Sequence, residues 1–123
     1  MNDGPDGPPT LPPGATAQRT ATGLEFLDVA PGAGDPACDG TTVRVRFRGW
    51  LTDGTLFEQG GLEFRVGEGE VIPGFEEGVT GMRPGAWRRL IIPSDLAYGP
   101  RGRGRRVPPF ATLIYDVELV SAR

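Results

Sequence analysis

The chain has 123 residues, enough for one hydrophobic core but not two, with a net charge of −3 and 24% charged residues. It contains no His and a single Cys, Cys38, which excludes an intrachain disulfide, a usual zinc site and a His-based catalytic triad. No apolar run approaches the length of a membrane span, and no basic stretch leads into an apolar core as in a signal peptide. The expectation is a monomeric cytoplasmic protein with no membrane partner. All 13 basic residues are Arg, read here as a compositional bias without direct functional meaning.

Residues 1–20 are rich in Pro, Gly, Asp and Thr and bury too little apolar surface to offset their ordering entropy; they are expected to be a disordered tail. Residues 22–29 read as a first strand, closed by turn residues from Pro31 to Pro36. In Thr42 to Arg48, the apolar Val43, Val45 and Phe47 alternate with Arg44, Arg46 and Arg48, the two-residue period of a sheet with one wet face. Three outward arginines suit a solvated face better than a nucleic-acid contact in an acidic chain, so no nucleic-acid partner is expected. Asp53-Gly54 marks a hairpin turn, and Leu62, Phe64 and Val66 alternate in a further strand.

Val71 to Met82 holds the one convincing helix start. Phe75, Val79 and Met82 fall at i, i+4 and i+7, Pro73 suits the first turn, and Glu76 and Glu77 complement the helix dipole there. Gly78 and Gly81 predict a short, weak helix that survives by packing. Trp87 to Ile92 reads as a strand, Ser94 to Gly99 as a single turn, and Pro100 to Pro109 as an exposed, mobile loop with four mutually repelling arginines. Thr112 to Val120 closes the chain with Leu113, Tyr115, Val117 and Leu119 on one face. The pattern predicts an α+β domain over residues 21–123, a twisted antiparallel sheet of about five strands wrapped around one short helix.

No nucleophile sits beside a base, and Glu76-Glu77 point different ways on a helix, so they suit dipole partners better than a glycosidase dyad. The unusual feature is aromatic: Phe47, Phe57, Phe75, Tyr98 and Tyr115 at inward-facing or turn positions. Taken singly, Phe47, Phe57, Phe75 and Tyr115 suit the core, while Tyr98 lies on a loop where its hydroxyl could reach a ligand; together with Val71-Ile72 the five are candidates to line an apolar cleft.

Phe47-Arg48-Gly49-Trp50-Leu51, Asp53-Gly54-Thr55-Leu56-Phe57-Glu58, Val71-Ile72-Pro73-Gly74-Phe75-Glu76-Glu77-Gly78, Ile92 to Gly99 and Val107 to Leu113 resemble, in order and spacing, the successive blocks of the FKBP-type peptidyl-prolyl cis-trans isomerases, the macrolide-binding immunophilins. The resemblance covers about residues 20–121. It implies an active site between sheet and helix, proline-containing polypeptides and macrolide inhibitors as partners, and no metal or cofactor. By that resemblance Phe75 is the pocket floor, where the family usually has Trp, and Phe47 takes a wall position that is commonly Tyr. Phe57, Leu62, Val71, Val107 and Tyr115 match other walls. Ile72 supplies a backbone N–H donor, Tyr98 a hydroxyl donor, and Glu58 takes the position of the family's usual Asp. Three departures stand out: Phe47 has no hydroxyl, Glu58 is one methylene longer, and Gln59-Gly60-Gly61 is shorter than the usual loop and lacks the Arg that often orients the acid. Arg106 also stands where many members carry an apolar residue. The alternative reading is a binding module of low turnover for proline segments or macrolides.

Overall fold

A computed structural model of the chain describes residues 8–11 and 14–123. The strands are β1 (Ala17–Arg19), β2 (Glu25–Ala30), β3 (Thr42–Leu51), β4 (Leu56–Arg65), β5 (Trp87–Ile92) and β6 (Leu113–Ala122), with one α-helix, α1 (Pro73–Val79). They form a six-stranded sheet in the order β1-β2-β5-β6-β3-β4, in which every neighbouring pair is antiparallel. The sheet therefore has one strand more than the roughly five predicted. The additional strand comes from the segment expected to be tail: Ala17, Gln18 and Arg19 pair with Leu27, Phe26 and Glu25. Its residues are exposed, so backbone pairing rather than burial orders it, and that leaves no hydrophobic signature to read. Residues 1–7 and 12–13 of the expected tail lie outside the described residues.

Periodicity sets the two faces of the sheet. Val43 and Val45 are buried while Arg44, Arg46 and Arg48 are exposed, and Leu113, Tyr115, Val117 and Leu119 are buried on β6. Across the register Val45 stands opposite Leu119 and Phe47 opposite Val117, which gathers the apolar side chains of the central strands under the helix. Phe75 and Val79 are 3% and 0% exposed and belong to this core, as the helical spacing predicted. Met82, placed on the same helical face by that spacing, lies beyond the helix, which ends at Val79, and reaches the core from the following turn.

The helix glycines carry more than weakness. A Cβ on Gly74 would lie 2.3 Å from Ile92 Cγ2, and one on Gly78 would lie 2.5 Å from both Leu90 methyl carbons. At i and i+4 they form a smooth stripe on which β5 seats directly. Arg88 then closes the end of the helix: its Nη1 donates to Gly78 O at 2.9 Å, its Nε to Asp28 at 2.7 Å, and its guanidinium lies over the Phe26 ring. A cation there also meets the negative end of the helix dipole. Glu76 and Glu77 diverge as expected, Glu76 Oε2 accepting from Gly67 N–H at 2.7 Å and Glu77 Oε1 from the Thr22 hydroxyl at 2.6 Å.

The outward face carries ion pairs. Arg89 binds Asp116 bidentately, at 2.6 and 2.8 Å, with side chains only 11% and 14% exposed. Arg44 and Arg123 share Glu63, and Arg48 lies over Trp50. Among the described residues no helix is long and apolar enough to cross a membrane.

Candidate functional site

The register around Gly49 builds the site. Gly49 on β3 stands opposite both Glu58 on β4 and Tyr115 on β6, while Trp50 pairs with Leu56, so Phe57 is an extra residue without a partner. This bulge turns Phe57 inward beside Tyr115, where the rings meet edge-on at 5.8 Å. A Cβ on Gly49 would lie 2.7 Å from Tyr115 Cε1 and 3.1 Å from Phe57. With nothing but hydrogen at that position, the Tyr115 hydroxyl reaches across β3 and donates to Glu58 Oε1 at 2.9 Å.

Phe75, on the first turn of α1, is the hub of the aromatic cluster. Its ring centroid lies 5.2 Å from Tyr115, 5.7 Å from Phe47 and 6.0 Å from Phe64, the first two edge-on, the arrangement that ring quadrupoles favour. Above it opens a cleft of about 210 Å³ lined by Phe47, Glu58, Leu62, Glu70, Val71, Ile72, Phe75, Tyr98, Arg103 and Tyr115. Eight of the ten residues singled out from sequence are thus brought together. The other two stand behind the lining: Phe57 supports Tyr115, and Val107 is 1% exposed beneath its loop.

Ile72 precedes α1, and its carbonyl accepts from the N–H groups of Phe75 and Glu76, both at 3.1 Å. Its own N–H has no acceptor among the described residues, leaving a donor available in the cleft wall. The Tyr115 phenol is pushed well above its ordinary range, first by burial and then by the Glu58 carboxylate beside it. It therefore stays a neutral donor at physiological pH. Glu70 is tied back, accepting from Arg65 N–H at 3.2 Å.

Sequence reasoning missed Gly49, Glu70 and Arg103. Arg103 lies in the loop read as mobile and self-repelling, yet its Nη1 donates to the Tyr98 hydroxyl at 3.1 Å and lies 3.5 Å from Glu58 Oε2. Arg106 Nη1 donates to Phe57 O at 3.1 Å. The loop is thus pinned to β4 at two points, and two of its four arginines, Arg103 and Arg106, meet acceptors. The Gln59-Gly60-Gly61 segment forms no loop at all; it is the middle of β4. The guanidinium expected there in the family arrives instead from the opposite wall. The missed signal was the density of arginines between Tyr98 and Val107.

A larger groove of about 870 Å³ lies on the outer face of the sheet, among Arg46, Arg48, Trp87, Asp116 and Glu118. That groove also takes in Phe47 and Val117 but is lined by neither of the donors Ile72 and Tyr98, whereas the smaller cleft joins an aromatic floor to both. The smaller cleft is the candidate site. Among the described residues no cluster of His, Cys, Asp and Glu could hold a metal ion.

The cleft has an aromatic floor and lies between a short helix and an all-antiparallel sheet, and sequence comparison gives the chain a family. A profile of the FKBP-type peptidyl-prolyl cis-trans isomerases matches residues 34–120. The chain belongs to that family. It is 42% identical over 103 residues to an FK506-binding protein of Neisseria meningitidis, covering 80% of this chain and 94% of that protein. It is 43% identical over 112 residues to FK506-binding protein 4 of Dictyostelium discoideum, covering 89% of this chain but only 31% of that protein. Among solved structures, a peptidyl-prolyl cis-trans isomerase of Pseudomonas syringae superposes with a TM-score of 0.80 at 35% identity, covering 90% of this chain and 82% of the other.

Proposed function

We propose that this protein catalyses rotation about X–Pro bonds in polypeptides, assisting their folding, and that the cleft floored by Phe75 is its active site. The observation that carries the reading is the pairing of a buried aromatic floor with two donors, Ile72 N–H and the Tyr98 hydroxyl, on the walls of the cleft. The bare reaction has a barrier of about 20 kcal/mol, because twisting the bond breaks amide resonance, and needs no covalent step. A twisted amide has a less polarised carbonyl than a planar one, so removing it from water penalises the planar ground state more than the transition state. Phe47, Phe75 and Tyr115 supply the dry surface. Ile72 N–H and Tyr98 hold flanking carbonyls, so that one side of the bond is fixed while the other turns.

No step in this scheme titrates near neutrality, and the chain contains no His. Activity is expected to be flat between about pH 5 and 8; a steep titration in that window contradicts the scheme. The direct test is isomerisation of a Leu-Pro peptide, where no rate above background at micromolar enzyme favours the low-turnover binding module instead. FK506-type macrolides are expected to occupy the same cleft and raise the melting temperature with the logarithm of ligand concentration over Kd.

A further inference from the structure

A guanidinium only donates hydrogen bonds and a carboxylate only accepts them, while a phenol has one proton to give and lone pairs with which to accept. These rules fix the direction of every bond along the polar rim of the cleft. Tyr115 spends its proton on Glu58 Oε1 at 2.9 Å. Glu58 Oε2 faces Arg103 Nη1 at 3.5 Å, and the same nitrogen donates to the Tyr98 oxygen at 3.1 Å. Tyr98 is therefore an acceptor toward the rim, and its own proton is left over in a residue that lines the cleft. A positive charge on the acceptor side of a hydroxyl also polarises it into a stronger donor.

The backbone holds Arg103 in this place. Gly102 has φ 66°, and a Cβ there would lie 2.2 Å from Val107 O, so only glycine fits the turn. Arg103 and Val107 then exchange backbone hydrogen bonds at 2.8 and 3.2 Å, tying the arginine to a residue that is fully buried.

We propose that Arg103 is the positioning residue for Tyr98: it fills the acceptor side of the hydroxyl, so that the phenol proton is presented to the carbonyl of a bound proline-containing peptide. Glu58, held by Tyr115, serves to fix the guanidinium and does not contact the rotating amide. The role rests on the isomerase reading of the cleft. It replaces the two polar groups missing from Phe47 and from the Gln59-Gly60-Gly61 segment, with the hydroxyl now supplied by β6 and the guanidinium by the loop that follows Tyr98.

The test is a kinetic double-mutant cycle on kcat/KM for a Leu-Pro peptide, using Arg103→Met, Tyr98→Phe and the double variant, with the exposed Arg105→Met as control. Each single change is expected to lower kcat/KM roughly five- to tenfold, the size of a charge-assisted hydrogen bond discounted for its half-exposed partner. The double variant should lose no more than Tyr98→Phe alone, Arg103→Lys should recover part of the loss, and Arg105→Met should stay at the wild-type rate. Losses that multiply, or an Arg103→Met rate within about twofold of wild type, overturn the proposal. Arginine side-chain NMR of the unliganded protein separates its failure from that of the isomerase reading. A protected Arg103 guanidinium resonance, lost in Tyr98→Phe and in Glu58→Gln, is required whether or not turnover is seen. Its absence from wild type overturns the positioning role. Its presence without catalysis overturns the isomerase reading alone, and the cycle is then read on macrolide affinity, where the same coupling is expected.

Discussion

A phenol held neutral among three aromatic rings, Phe47, Phe57 and Phe75, makes Tyr115 sensitive to alkaline pH. Its folded pKa is raised above the ordinary 10.0 by burial and by Glu58. The contribution is fully present below the unfolded value and is lost as pH rises past it, because only the unfolded chain then gains by releasing the proton. Stability is expected to fall steeply above about pH 10, and Tyr115→Phe should flatten that slope in denaturant titrations. Phe75 and Val79 divide the helix between site and scaffold. Phe75→Ala should harm macrolide binding as well as stability, whereas Val79→Ala should cost about 1–3 kcal/mol of stability and leave affinity unchanged. Equal losses of binding at matched stability would show that the division is wrong. Gly49 was invisible in the sequence, since nothing in a strand pattern says which residue lies across from it. Once Glu58 and Tyr115 are seen to flank it, its lack of a side chain explains how a tyrosine on β6 touches a carboxylate on β4.

At the scale of elements, the helix shows how a correct local reading gives an incomplete physical account. Glycine in an isolated helix costs about 1 kcal/mol relative to alanine, so Gly78 read as a weakness. Against β5 the same absence of a Cβ lets the backbone approach Leu90, itself fully buried. Gly78→Ala is therefore expected to destabilise the protein by about 1–3 kcal/mol through overpacking, the opposite sign from helix propensity alone. Chemical denaturation reads the sign directly. The sheet divides its ion pairs in the same way. Breaking the nearly buried Arg89–Asp116 pair with Arg89→Met should cost about 3 kcal/mol because Asp116 is left uncompensated. Arg44→Met, removing an exposed partner of Glu63, should cost less than about 1 kcal/mol. A cost for Arg44→Met equal to that of Arg89→Met would mean that exposure is not what separates the two pairs.

For the whole molecule, the connectivity sets how the chain must fold. β3 pairs with β6 and β2 with β5, so the two pairings on either side of the central β5–β6 pair close long loops before any apolar burial compensates them. Refolding is expected in the millisecond-to-second range typical of such topologies, measurable by stopped-flow fluorescence of the two tryptophans. Folding in microseconds would require that local hairpins alone carry the transition state. The same connectivity gathers residues from β3, β4, α1, β6 and the loop after Tyr98 into one cleft, which is why no short stretch of the chain contains the site.

The sequence by itself determined the strands of the central sheet, the helix and its buried face, and eight of the residues that line the cleft. Each of these rests on a local quantity: a two-residue or 3.6-residue period, a proline at a helix start, a run of blocks in family order. It also showed that two polar partners common in the family were absent, a hydroxyl at position 47 and, in residues 59–61, the Arg that often orients the acid. Only the tertiary structure decided where those partners now come from. Arg103 and Tyr115 lie 45 and 57 positions beyond Glu58 in the sequence, with their bonding fixed by register across Gly49 and by the tight turn at Gly102. Charge neutralisation and hydrogen bonding act over a few ångströms in space, and separation along the chain carries no trace of them.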